Sequence, residues 1–145
     1  MTAYNRLRGT KLLLATLLIA GSCAKVRAGS NTDEKDGGYV KRGRALYVQY
    51  SVACHGPSGK GDGPAASSFK EPPADLTTIA YRNKGSFPTE KVMVWIDGEK
   101  ASAAHGARDM PVWGKRFRQQ GGPGKALGDV YCLTKYLQSI QSTEK

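Results

Sequence analysis

No stretch of this sequence is long and apolar enough to read as a membrane span. The main apolar run, Leu12 to Ala20, falls well short of the about 20 residues that a bilayer core demands. Histidine is scarce, with two residues, and the three cysteines (Cys23, Cys54 and Cys132) lie far apart in unlike contexts. That pattern implies no disulfide framework. It also lacks the several His, Cys and carboxylate ligands that a zinc site gathers. No Ser/His/Asp set and no paired carboxylates stand in a recognisable motif, so acid–base and nucleophilic catalysis find no support. No run interleaves basic with aromatic residues, which argues against nucleic acid as a partner. Neither an internal repeat nor an alternating strand of any length is visible, and the expected architecture is a small all-α domain with long loops.

Acidic residues are also few. The 145 residues carry 22 Lys and Arg against 12 Asp and Glu, a net charge of +10. The first 23 residues hold three of the cations (Arg6, Arg8 and Lys11) and no acid, so the remainder keeps 19 cations against 12 acids, a net +7. A surface of that sign suits acidic partner proteins or an anionic lipid surface. Aromatics make up only 8% of the chain while glycine reaches 18 residues. A domain of this size and composition builds a modest core and profits from a staple such as a bound metal or cofactor.

The N-terminus has the parts of an export signal: a basic lead, a short apolar run, then the small residues Gly21 and Ser22 before Cys23. Ala20-Gly21-Ser22-Cys23 is similar to a bacterial lipobox, in which the cysteine becomes a lipid-anchored N-terminus. Val26-Arg27-Ala28 is the competing cleavage site. Residues 1–28 are therefore expected to be an export segment and the start of a tether, 29–38 a flexible linker, and 39–145 the functional domain. The implied location is the periplasm or the outer face of a bacterial membrane.

Within that domain, residues 39–50 carry Val40, Gly43, Leu46, Tyr47 and Tyr50 at helical spacing. Residues 56–64, with four glycines, read as loop, and Pro72-Pro73 as an extended break. Thr89 is placed to cap a helix over about 90–97, residues 98–125 read mostly as loop, and 126–141 as a last helix.

The chemistry concentrates in residues 51–55, Ser-Val-Ala-Cys-His. The spacing is that of the Cys-x-x-Cys-His haem-attachment motif with serine in the first cysteine position. A serine hydroxyl forms no thioether, which leaves Cys54 as the one attachment point. By itself a Cys-His pair says little, but its context is ordered. Gly43 and Tyr47 lead into it, His55-Gly-Pro-Ser-Gly-Lys-Gly-Asp-Gly-Pro64 follows, then Pro72-Pro73-Ala74-Asp75-Leu76. Farther on come Arg108-Asp109-Met110-Pro111-Val112-Trp113-Gly114 and a last helix with Leu133 and Tyr136-Leu137. Over residues 39–141 the chain resembles the class I, monohaem c-type cytochromes.

The resemblance implies one haem c per chain, held covalently through Cys54, in a helical domain wrapped around it. It implies the work of a single-electron carrier rather than an enzyme, free or as part of a redox complex. His55 is the expected proximal iron ligand, its other ring nitrogen bonded to the backbone carbonyl of Pro64. Met110, in a loop before Pro111, is the expected distal ligand, and a Met/His pair raises the reduction potential. Met93 reads instead as part of an apolar helical stripe with Val92 and Ile96, and His105 is the rival distal residue. Trp113 is expected to cover a cofactor edge or to fill the core, and Arg82 and Arg108 to pair with haem propionates. Cys132 reads as a small buried residue. The alternative function is a haem-based enzyme or small-ligand sensor in which the distal ligand is displaced.

Overall fold

A computed structural model describes residues 31–98 and 110–142; His105, Arg108, Cys23 and the expected export segment lie outside the described residues. Among the described residues there is no strand. The architecture is all-α: α1 (Asn31–Tyr50), α2 (Val52–His55), α3 (Ile79–Arg82), α4 (Thr89–Asp97) and α5 (Trp113–Ser139), with 3-10 turns at Ala66–Ser68 and Leu76–Thr78. None of these helices is long and apolar enough to cross a membrane.

Helix α5 is the centre of the packing and lies against both α1 and α4. Its apolar positions Phe117, Val130, Leu133 and Leu137 are buried with Tyr47 of α1 and with Val92 and Ile96 of α4. Val130, Leu133 and Leu137 on α5, and Val92 and Ile96 on α4, recur at three- and four-residue intervals, so one stripe of each of these two helices faces the core. The α1–α5 crossing is close because Gly43 has no side chain: a Cβ there would press into the backbone carbonyl of Cys132 and the Cβ of Tyr136. The ring of Tyr47 packs on that of Tyr136 one turn away, 5.1 Å between centroids.

An ion cluster seals the same seam. The carboxylate of Asp129, 0% exposed, accepts hydrogen bonds from Arg42 Nε at 3.0 Å and from Lys125 Nζ at 2.5 Å. Burial alone would push this carboxyl up, but the bonds from Lys125 and Arg42 outweigh it and hold the group below the usual carboxylate range. A lowered folded-state value stabilises the fold above the ordinary carboxylate range, and that contribution fades as pH falls through it.

Replacing Gly43 by alanine should test the crossing. Alanine gains about 1 kcal/mol in helix propensity. Its methyl group, however, meets backbone that cannot swing aside, and overpacking of that kind costs about 1–3 kcal/mol. Because the obstruction is main chain, the upper part of that range should prevail, and the denaturation midpoint should fall. An unchanged midpoint would mean that the two helices part at little cost.

Three sequence expectations change. Helix α1 begins at Asn31, so residues 31–38, expected as linker, are helical. Gly37 and Gly38 are poor helix formers, but Asp36 is held to Lys135 of α5 at 3.4 Å, a tertiary contact. Thr89 is the first residue of α4 rather than its cap; Pro88 holds the cap position, where no side chain bonds the helix. Residues 113–120, expected as loop, are helical, and the backbone then kinks at Gly121-Gly122 before resuming at Pro123. Proline suits the first turn of that second segment, where its missing N–H is not needed.

Candidate functional site

Helix α1 ends at Tyr50, three residues short of the Cys54-His55 pair, and the chain turns at Ser51 into α2. The turn is secured at both ends, Ser51 N–H donating to the Tyr47 carbonyl at 2.8 Å and His55 N–H to the Ser51 carbonyl at 2.8 Å. The buried hydroxyl of Tyr47 donates to the Gly56 carbonyl at 2.6 Å, so the residue after His55 is pinned to α1. That burial pushes the phenol up to about 12 and keeps it a donor.

The loop after His55 folds back on α2 and on residues 73–76. Gly61 N–H donates to the His55 carbonyl at 2.9 Å, and Leu76 N–H donates to the Gly59 carbonyl at 2.7 Å. Gly61 allows this approach, since a Cβ there would strike the Pro73 carbonyl. The outcome is a contact that the sequence reading missed. His55 Nδ1 lies 3.0 Å from the backbone oxygen of Ala74. The expected acceptor was Pro64, which is exposed and does not line the cavity described below. Because a carbonyl only accepts, Nδ1 carries the proton and Nε2 keeps its lone pair. Burial lowers the imidazole's proton affinity, against the opposing effect of the Ala74 bond, and so favours this neutral form.

His55 opens onto a cavity of about 500 Å³ whose walls are mostly apolar, a volume in the range of cofactor and ligand sites. Each element supplies part of it. Ser51, Cys54 and His55 come from the α1–α2 turn, Arg82 from α3, Trp95 and Ile96 from α4, and Trp113, Leu133 and Leu137 from α5. Met110 and Pro111 form a further stretch of wall, Met110 being 41% exposed. Every candidate side chain among the described residues except Pro64 therefore meets at one cavity. Trp113 belongs to the core, being 8% exposed, and also lines the cavity wall.

Arg82 is an exposed residue whose Nη2 donates to the Asp75 carbonyl at 2.8 Å. Two more cations cap cavity-lining aromatics: Lys91 lies 5.2 Å from the Trp95 ring, and Arg116 lies 5.4 Å from Tyr50 and 5.7 Å from Trp113. Met93 is directed elsewhere. It borders a separate hollow between α4 and α5 with Leu127 and Val130, and does not line the cavity. Cys132 is 3% exposed and lies off the cavity wall. Among the described residues no three His, Cys, Asp or Glu side chains gather as they would around a metal ion held by protein alone.

The donor set fits a flat, largely apolar, covalently held iron macrocycle. One thiol, one imidazole nitrogen with a free lone pair and one thioether border a single apolar space. Ala74, Tyr50, Phe69 and Trp95 are wall residues to which the sequence assigned no part in the site. Ala74 was legible as part of the Pro-Pro-Ala-Asp-Leu segment, and Trp95 as the one large aromatic on the Val92–Ile96 stripe. No family model matches the chain, and neither a curated protein nor a solved structure does.

Proposed function

We propose that this chain is an exported single-electron carrier of the class I cytochrome c kind, holding one haem through Cys54 with His55 and Met110 as axial ligands. The observation that carries the reading is the convergence of Cys54, His55 and Met110 on one mostly apolar cavity of about 500 Å³. When bound there, haem supplies iron that alternates between ferric and ferrous states.

The chain's own part is to hold and tune. Cys54 offers the thiol for covalent attachment, and Ser51 beside it offers none. His55 presents Nε2 to the cavity because Ala74 occupies Nδ1, an outer bond of the type that orients a ligating imidazole and raises its basicity. Met110 would offer a soft sulfur, a donor that favours the reduced metal and that would compete with oxygen or peroxide for the same side of the cavity. Leu133, Leu137, Ile96 and Trp113 exclude water, and Arg82 sets a positive charge at the wall. The net positive charge of the domain suits an acidic redox partner, with a lipid anchor at Cys23 as a second means of localisation.

The test is to produce the full chain in a host that exports it and attaches haem. The purified protein should keep its chromophore through acid–acetone extraction. Its alkaline pyridine spectrum should peak between those of two-thioether haem and haem with both vinyl groups free. A chromophore that passes wholly into the solvent overturns covalent attachment, and a colourless exported protein overturns the haem reading itself.

A further inference from the structure

We propose that Arg82 is a positioning residue for the His55 imidazole, acting through the backbone of Asp75 to hold the Ala74 carbonyl in place. This inference rests on the haem reading above and adds a residue to which that reading assigned only a charge.

The Ala74 carbonyl is the partner of His55 Nδ1, at 3.0 Å, and Ala74 itself is exposed. An exposed carbonyl on a short extended segment keeps its aim only if the flanking peptides are held. They are held at successive points. Arg82 Nη2 donates to the Asp75 carbonyl at 2.8 Å. The Asp75 carboxylate accepts from Thr77 N–H at 2.8 Å and from Thr77 Oγ1 at 2.6 Å. Leu76 N–H donates to the Gly59 carbonyl at 2.7 Å, and Gln141 Nε2 donates to the Leu76 carbonyl at 2.8 Å. From Leu76 onward the main chain is anchored to two other parts of the fold. Two donors reach the carbonyl of Asp75, the residue next to Ala74: Arg82 Nη2 at 2.8 Å and Thr78 Oγ1 at a longer 3.3 Å, so Arg82 makes the shorter of the two bonds. The guanidinium is also the cation on the cavity wall, so charge and aim reside in one side chain. Arginine suits this dual place because its several N–H groups leave donors free when one is engaged.

A charge-only role and a positioning role differ in one observable. Removing a charge leaves the Nδ1–H···O bond as it was, whereas releasing the Asp75 carbonyl loosens it. The measurement is the exchange of the His55 Nδ1 proton with deuterated solvent, followed by NMR in the reduced holoprotein. Arg82→Met keeps the packing of the stem and removes the donors; exchange should quicken about tenfold, the change that follows from losing one ordinary hydrogen bond. Arg82→Lys restores a donor and should exchange within about twofold of the parent, less than the effect of losing a bond. Arg116→Ala removes a cation near the cavity without touching residues 74–82, and should leave exchange unchanged.

Unchanged exchange in Arg82→Met overturns the proposal, as does equal quickening in Arg116→Ala. Should Arg82→Met fail to fold, Arg82→Ala also removes every donor and must exchange faster than Arg82→Lys, or the proposal falls. Failure of the haem reading shows separately, as an unsubstituted chain that carries no covalent chromophore.

Discussion

Cys54→Ser is expected to release the whole chromophore into acid–acetone, because among the described residues no second thiol lines the cavity. In a two-cysteine attachment site the loss of one thioether leaves the other. Here the neighbouring wall position is Ser51, whose hydroxyl cannot make that bond. Cys132 is no substitute: it is buried on α5 off the cavity wall, and its thiol is pushed up by burial and so poorly ionised for addition. Cys132→Ala should therefore leave attachment intact. Ser51→Cys should move the alkaline pyridine spectrum to the two-thioether position, since Ser51 and Cys54 line the same wall. Covalent retention in Cys54→Ser would show attachment elsewhere, and an unmoved spectrum in Ser51→Cys would show that position 51 does not reach the vinyl group.

The second large effect belongs to Met110→Ala. This exchange should abolish the weak near-infrared band of a sulfur–ferric iron bond and allow the ferrous protein to bind carbon monoxide. The potential should also fall, because a thioether ligand stabilises the reduced metal. Met93→Ala should do none of this, since Met93 borders the hollow on the other side of α4. His105→Ala is the matching control for the rival ligand. If His105→Ala removes the band instead, the distal ligand is misassigned. If the unsubstituted ferrous protein already binds carbon monoxide readily, the sensor or enzyme alternative is favoured. The 41% exposure of Met110 is the feature on which that alternative would rest.

How far the site was legible from sequence depended on the range of the interaction involved. The Ser51–His55 spacing is local: five residues, a turn and a short helix, put thiol and imidazole on one wall. The choice of Met110 over Met93 followed from local context too. A methionine next to Val92 and Ile96 in a helical stripe reads as packing, and Met93 is partly buried against the core. The partner of His55 Nδ1 was not legible. Pro64 and Ala74 both follow the motif at loop distance, and the loop closes through Gly61 against Pro73, a contact with no periodic signature. Helix 113–120 was missed because six of its eight positions are polar or glycine, leaving Trp113 and Phe117 as a stripe one turn long.

What the sequence determined by itself is the helical class, the first and last helices and the set of side chains proposed to hold a cofactor. Each rests on apolar periodicity or on side-chain chemistry within a few residues, where the chain's geometry leaves little choice. What only the tertiary structure decided is the extent of α1 beyond Gly37 and Gly38, the acceptor on His55, and the engagement of Arg82 with backbone. Those are contacts between segments distant along the chain or arriving from loops. Packing overrides weak local preference there, and a carbonyl that any residue could offer is selected by the path of the loop rather than by its own side chain.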